Sequence, residues 1–473
     1  MNSSKRDSRF SRRALLYGAS MVPVGGLLLP AGSLAKAPKG NPAPAFLRNQ
    51  GTQEVTHWVY SSLPLDKDTL QSVPVDAPNS VEYFQWSADE FKKVNPDIDV
   101  KLEYLPHDET WFAALDSRLL AGQPPDVVQG PVSEAARYVP LGALSPIDSY
   151  LSEEDKADLV PEVLAESSFN GESYIWPWRL SFGGGIGINA KLWRDAGIEE
   201  LLPTGETRDW EMDTALEAFK ATTLDLDGDG AIDQYGAVLI TDIHYHITQF
   251  MFGFGARLFN EDETAIALNS PEGLAGLEWL VALENEHKCV VPGTAVRKAA
   301  EGSQLFLERK AAAYPSQGAG VTSPDIQALG DEFEFYWVRP PHVPGQTPAV
   351  MTNIHGHYVF HSDDSRTEAA HLWSQFLTRP EALQITLEQF GMPPARQSLW
   401  GQVTDENQQV GLRFTEIMST FGRRASASAI TFTHVPRMLE AAFSGSKTPA
   451  EALATLEEEG NALIEEAIAN EGS

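Results

Sequence analysis

From Val55 onward the chain alternates short β-type runs with segments of helical period, and this order restricts the fold more than any other feature. Val55-Thr56-His57-Trp58-Val59-Tyr60 is rich in β-branched and aromatic residues and reads as a strand. A polar, proline-punctuated stretch from Ser61 to Asn79 follows, long enough for a loop lying over a site. Ser80 then caps a helix whose Val81, Phe84, Phe91 and Val94 share one face, and Asn95-Pro96 stops it. Ile98–Tyr104 alternates as a second strand, Thr110–Ala121 is a helix closed by Gly122, and Pro125-Asp126-Val127-Val128 opens a short buried strand. Later strands are expected at Ile186–Asn189, Tyr235–Ile240, Ala311–Tyr314 and Asn353–His361, between helices such as Trp210–Thr222, Pro271–His287 and Ser365–Leu377. Such alternation predicts an α/β class with a largely parallel sheet covered by helices. Pro449–Asn470 reads as a closing amphipathic helix, with Gly460 as its weak point.

Charge and cysteine content remove whole classes of function. With 35 Lys+Arg against 66 Asp+Glu, the 473-residue chain carries a net charge of −31. A nucleic-acid partner needs clustered cations to displace counterions, so none is expected. Anionic membrane surfaces are disfavoured for the same reason. Cys289 is the only cysteine, which excludes an intramolecular disulfide and any cysteine-built metal cage.

The first 35 residues read as an address. Lys5, Arg6, Arg9, Arg12 and Arg13 precede an apolar run from Ala14 to Leu29, which Gly18, Pro23, Gly25 and Gly26 interrupt. That run is short for a membrane span. Ser11-Arg12-Arg13-Ala14-Leu15-Leu16 resembles a twin-arginine export signal, with cleavage expected after Ala35. No cysteine lies near that bond, so a lipoprotein is not expected. Residues 36–53 are then a flexible leader, and the product is expected to be periplasmic or secreted.

A second resemblance covers most of the remaining chain. Phe91-Lys92-Lys93-Val94-Asn95-Pro96-Asp97-Ile98-Asp99-Val100, Pro125-Asp126-Val127-Val128 and Leu141–Asp148 occur in order. Gly171–Pro177, Gly187-Ile188-Asn189, Phe306–Ala312 and Gly391–Arg396 continue the series. This collinear set resembles extracellular solute-binding protein family 1, the sugar-binding receptors of ABC importers. The resemblance implies a two-lobed periplasmic-binding-protein-like fold of type II, crossed three times by the chain and closing on ligand by hinge bending. It implies an N-terminal lobe of 54–178 plus 312–354 and a C-terminal lobe of 179–311 plus 355–473. It implies a monomer without enzymatic activity or a required cofactor, whose partners are a small carbohydrate and importer permease subunits. Ser181-Phe182-Gly183-Gly184-Gly185 would supply backbone freedom at a crossing; a glycine-rich hairpin without function is the other reading.

Sugars present apolar C–H faces and hydroxyl rims, so aromatic and polar side chains beyond strand ends are the candidates for contact. They are Trp58 and Tyr60 after the first strand, Gln129 after the third, Trp178 and Arg179 at the first crossing, Ser316 and Gln317 after Ala311–Tyr314, and Asn353 and His355 at the third. Trp176 is set aside because it shares the apolar register of Tyr174. The pairs His244/His246 and His355/His357 would each point two imidazoles to one face of a strand, short of a complete metal site. Asp225, Asp227, Asp229 and Asp233, with Gly230, follow the opening of a calcium loop, but Gly236 stands at the closing acidic position. A structural calcium and a plain Asp-Gly turn both remain open. A receptor of the same fold for a polyamine or sugar acid is the alternative function. A secreted carbohydrate-active enzyme is a third, for which no hydrolase elbow or zinc-protease helix is found.

Overall fold

The computed structural model describes residues 52–61, 80–106, 110–169, 171–182, 184–315, 326, 329–390, 394–424 and 426–471. The expected signal, 1–35, and nearly all of the leader lie outside them. The strands that carry the fold are β1 (Gln53–Ser61), β2 (Ile98–Pro106), β3 (Val127–Pro131), β4 (Ile175–Phe182), β5 (Ile186–Asn189), β6 (Tyr235–Ala237), β7 (Ala311–Pro315), β8 (Phe335–Val338), β9 (Val350–Val359) and β10 (Met418–Ser419). The helices that position the site are α1 (Ser80–Val94), α2 (Thr110–Leu120), α3 (Val132–Ala135), α4 (Pro161–Glu166), α5 (Tyr245–Gly253), α6 (Pro271–Asn285), α7 (Asp364–Leu377), α8 (Ala427–Ala429), α9 (Val435–Phe443) and α10 (Pro449–Glu471).

Two sheets organise two lobes. The first has the order β10-β9-β3-β1-β2, with β4 also on β9; the second has the order β8-β5-β7-β6. Parallel pairing joins β1 to β2 and β3, as the alternation predicts, but β9 runs antiparallel to β3 and β4. In the second sheet β5 runs antiparallel to both β7 and β8. The sheets are therefore mixed rather than largely parallel. A strand arriving from the other lobe enters its sheet from the opposite end, so its direction reverses.

Each lobe has its own core. In the first, Val55, His57 and Val59 of β1 are fully buried, and so is Val127 of β3. Phe84 and Phe91 of α1 meet Trp373 of α7 and Leu115 of α2 in one cluster. The second core gathers Ile186, Ile188, Phe250, Leu277, Leu280, Leu453 and Leu456. Burying each such side chain contributes on the order of 2 kcal/mol, which explains why the helical period is kept so strictly. α10 runs unbroken through Gly460, where Ile266 approaches within 2.7 Å of where a Cβ would stand. That glycine serves close packing rather than a break.

Sheet membership corrects the expected lobe boundaries. Ala311–Pro315 pairs with β5 and β6 in the second sheet, so 312–315 does not belong to the N-terminal lobe. Residues 355–359 pair with β3, and α7 packs on β1, so this stretch belongs to the first lobe rather than the second. Residues 179–182 likewise complete β4 in the first sheet. A uniformly apolar strand does not encode which sheet receives it, so motif order alone misplaced these segments. Among the described residues, no helix is long and apolar enough to cross a membrane.

Candidate functional site

Three chain crossings meet at one point between the lobes. β4 leads to β5 through Gly184 and Gly185, β8 leads to β9, and the chain returns after β10. Gly185 has φ +93°, and a Cβ there would stand 2.6 Å from Phe414 and would also collide with Trp337. At Gly184 a Cβ would overlap Val350, which itself pairs with Met418 of β10. The glycines are thus required by close approach of all three crossings; Gly183 lies outside the described residues. Gln249 of α5 pins the first crossing, its Oε1 accepting from Gly185 N at 2.6 Å and its Nε2 donating to Gly185 O at 3.1 Å. Gln249 was not a sequence candidate, since a glutamine inside an apolar helix gives no sign of its partner.

The sequence candidates in the first lobe divide sharply. Trp178 is buried, packed against Tyr83 (6.0 Å, stacked), Phe84 (5.5 Å) and His357 (5.7 Å). Trp58 is equally buried on β1, its Nε1 donating to Glu103 Oε2 at 2.8 Å and its ring against Trp111. Neither indole presents an open face, which corrects the expectation that they stack on ligand: the sheet is covered on both sides, so even residues at strand ends enter the core. Gln129 is buried in β3. Arg179 is half-buried with its guanidinium 5.5 Å from the Trp178 ring, and His355 opposes it across β4 and β9. Arg179 and His355 are the predicted pair that the structure brings together at the crossing. The side chains of Tyr60 and Asn353, and all of Ser316 and Gln317, lie outside the described residues.

The second lobe offers aromatic surface that sequence reasoning missed. Phe421 and Phe432 lie 5.7 Å apart and nearly parallel, at 11°, while Tyr245 meets Phe421 edge-on at 5.4 Å. His244 abuts Phe432 at 5.6 Å. Phe432 is 43% exposed, although it is a large apolar residue. It sits in a π-helical turn, Ile430–His434, just before Pro436. Proline cannot donate to the carbonyl of residue 432 and its ring crowds that oxygen, so a widened turn here has a local cause. α8, directly before this turn, touches α3, which follows β3 in the first lobe. The helix before the platform therefore lies at the lobe boundary, against α3, whose buried Glu134 accepts from Tyr358 at Oε2 at 3.5 Å. Tyr245 opens α5 after β6, so it also occupies the strand-end position expected of a ligand site.

Of the two histidine pairs, His355 and His357 lie on β9 but His244 and His246 are not borne on a strand. His244 precedes and His246 belongs to α5, a helix rather than a strand. Burial lowers both imidazoles to about 3, and that of His357 likewise. Asp225, Asp227 and Asp229 do converge, with ligand oxygens within 4.8 Å of one another on an exposed loop. Asp233 stands apart, its Oδ2 accepting from Leu226 N at 2.7 Å. The Asp225 carboxylate accepts from Gly230 N and Gly228 N, which hold it below the usual carboxylate range.

The family described as bacterial extracellular solute-binding protein matches residues 77–384. The maltotriose-binding protein of Pyrococcus abyssi is 28% identical over 202 residues, 43% of this chain and 40% of that protein. The chain spans less than half the length of the curated relatives it matches. Among solved structures, the cyclic alpha-maltosyl-1,6-maltose binding protein of Arthrobacter globiformis superposes with a TM-score of 0.71 at 18% identity, covering 88% of this chain and 100% of that one. The GacH receptor of Streptomyces glaucescens, known with acarbose, gives 0.69 at 17% identity, over 88% and 99%. At these identities the likeness is one of fold, and it is the two-lobed fold described above.

Proposed function

The chain belongs to the bacterial extracellular solute-binding protein family, and from that premise we propose that it is the receptor of an ABC importer, holding a carbohydrate between its lobes without altering it. The observation that carries this reading is the stacked Phe421–Phe432 pair beside Tyr245 at the lobe boundary. A sugar's C–H face gains on the order of 1 kcal/mol from one such ring beyond simple burial. Hinge closure around the crossings at Gly184, Val350 and Met418 would bring Arg179 and His355 towards the same space. The relatives' maltotriose and acarbose favour a gluco-oligosaccharide over a polyamine. Export by the Arg12-Arg13 signal would deliver the receptor outside the cytoplasm, and replacing both with Lys should retain the precursor in the cell.

The Asp225–Asp229 loop enters this reading as a structural calcium position, since a divalent cation would relieve three converging carboxylates. A thermal-shift screen over maltotriose, maltose, other sugars, sugar acids and amines tests the main proposal, because a ligand of the native state must raise its melting temperature. The expected result is a rise with oligosaccharide, which is then recovered unchanged. A rise only with amines, or recovery of cleaved sugar, would overturn it.

A further inference from the structure

On the stretch that also carries Phe421, a cavity of about 270 Å³ is lined from both lobes and from the crossing itself. α4 of the first lobe contributes Glu166; the second contributes Arg257, Asn260, Glu263 and Arg423; Ser419 ends β10 and Thr420 follows it at the crossing. Glu166 is the last residue of its helix and is buried, a place where a carboxylate needs a partner. Its Oε2 lies 3.4 Å from Arg423 Nη2, the polar link from the first lobe to the second at this cavity. Burial pushes the Glu166 carboxyl up, while Thr420 and Arg423 pull against that shift.

On the other side the main chain at Arg423 is held firmly. Glu263 adopts φ +51°, a left-handed conformation that a glutamate tolerates only when its surroundings enforce it. Glu263 Oε2 accepts from Arg423 N at 2.5 Å, its Oε1 lies 3.9 Å from Arg423 Nε, and its carbonyl accepts from Arg424 Nε at 2.8 Å. Arg423 is therefore fixed to the second lobe through its backbone N–H, and its partly exposed guanidinium reaches the buried carboxylate of Glu166 in the first lobe. The cavity beside it leaves that contact free to part when the lobes rotate.

We propose that Glu166 and Arg423 form an inter-lobe latch which holds the lobe angle seen here and so sets ligand affinity without touching the ligand. The latch rests on the receptor reading only for its effect on affinity; its effect on lobe angle does not. Cys289 is buried, so spin labels can be directed to two introduced cysteines, at Leu120→Cys in the first lobe and Val296→Cys in the second, both positions being highly exposed. Double electron–electron resonance on the ligand-free protein should give one narrow distance distribution. Glu166→Gln and Arg423→Gln should each shift or widen it by about 2 Å or more. The double substitution should do no more than either alone, because both remove one interaction. Should Glu166→Gln fail to fold, Glu166→Asp keeps the charge but withdraws the carboxylate, and should produce the same shift. Wild-type distributions in folded variants, or shifts that add in the double variant, would overturn the latch. With a sugar found by the screen, each substitution should also move the apparent Kd by about threefold or more. If no sugar binds but the distances shift, the latch stands and the carbohydrate reading falls.

Discussion

In the first lobe the large rings are sealed: Trp58, Trp176, Trp178 and Trp373 are all buried and engaged with neighbouring side chains. In the second lobe Phe432 is 43% exposed, with Phe421 stacked beneath it and Tyr245 edge-on to Phe421. The lobe with the conspicuous tryptophan motif thus uses its aromatics as core; the second lobe buries Phe250, Phe252 and Phe421 as well but leaves Phe432 partly exposed. Aromatic density in a sequence reports buried volume at least as readily as a binding surface. What separates the two uses is the layer above: α1 covers Trp178 through Tyr83 and Phe84, whereas the π-turn at Ile430–His434 leaves Phe432 uncovered.

The largest expected effect treats the lobes alike and fixes the baseline for the rest. His57, His357 and His371 are buried in the first lobe, and His244 and His246 in the second. Burial lowers the last four to about 3 and His57 well below its ordinary value. Below pH 6.5 the unfolded chain takes up protons that these folded sites refuse, so stability is full above that pH and is lost as pH falls towards 3. At pH 5 each depressed histidine withdraws about 2 kcal/mol, and the sum should approach the stability of a whole domain. Melting curves from pH 7 to 4 should fall steeply in both lobes; a flat profile would show that these imidazoles accept protons without unfolding.

Next, Trp178→Ala should cost about 3–5 kcal/mol by emptying the first core. Its chemical denaturation midpoint should fall, and hydrogen exchange should quicken around α1 and β9. Unchanged stability with lost sugar binding would return Trp178 to the ligand and break the contrast between the lobes. Phe432→Ala should do the reverse: little change in melting, but binding weakened by roughly tenfold, since one decade is about 1.4 kcal/mol. Equal binding by wild type and Phe432→Ala would remove the platform from the site.

The same contrast explains what was legible beforehand. Local pattern sufficed for β1, α1, β2 and the short buried β3, because strand alternation and caps are written within a few residues. The two-lobed architecture was legible from the order of motifs. Lobe membership of 312–315 and 355–377 was not, since pairing of β7 with β5, or of β9 with β3, is decided by residues more than a hundred positions away. Arg179 and His355 could be named as candidates because strand ends and crossings carry glycines and polar residues, and the structure sets them opposite each other. Gln249, Glu166 and Phe432 were missed, because a polar residue at a helix's inner face, a carboxylate at a helix end and a phenylalanine before a proline acquire their meaning only from partners elsewhere in the chain.

The smallest expected effect belongs to a loop that has no counterpart in the first lobe's described residues. Leu224 and Gln234 pair at its base, so Asp225 to Asp233 form a closed turn on the second lobe's surface. Within it Asp225 accepts from Gly228 N and Gly230 N, Asp227 from Asp229 N, and Asp229 from Ala231 N. One carboxylate oxygen from each of Asp225, Asp227 and Asp229 still lies within 4.8 Å of the others, where like charges repel and a hard divalent cation would be welcome. Because the loop is exposed and already closed by its own backbone, the ion would add little to the core. Millimolar calcium should raise the melting temperature by about 1–3 °C, and a chelator should reverse it. Asp227→Ala should abolish that response, with protection from hydrogen exchange gained at 224–234 and nowhere in the first lobe. A melting curve indifferent to calcium, chelator and substitution would leave an Asp-Gly turn, and the lobes would then differ in their aromatic surfaces but not in ion dependence.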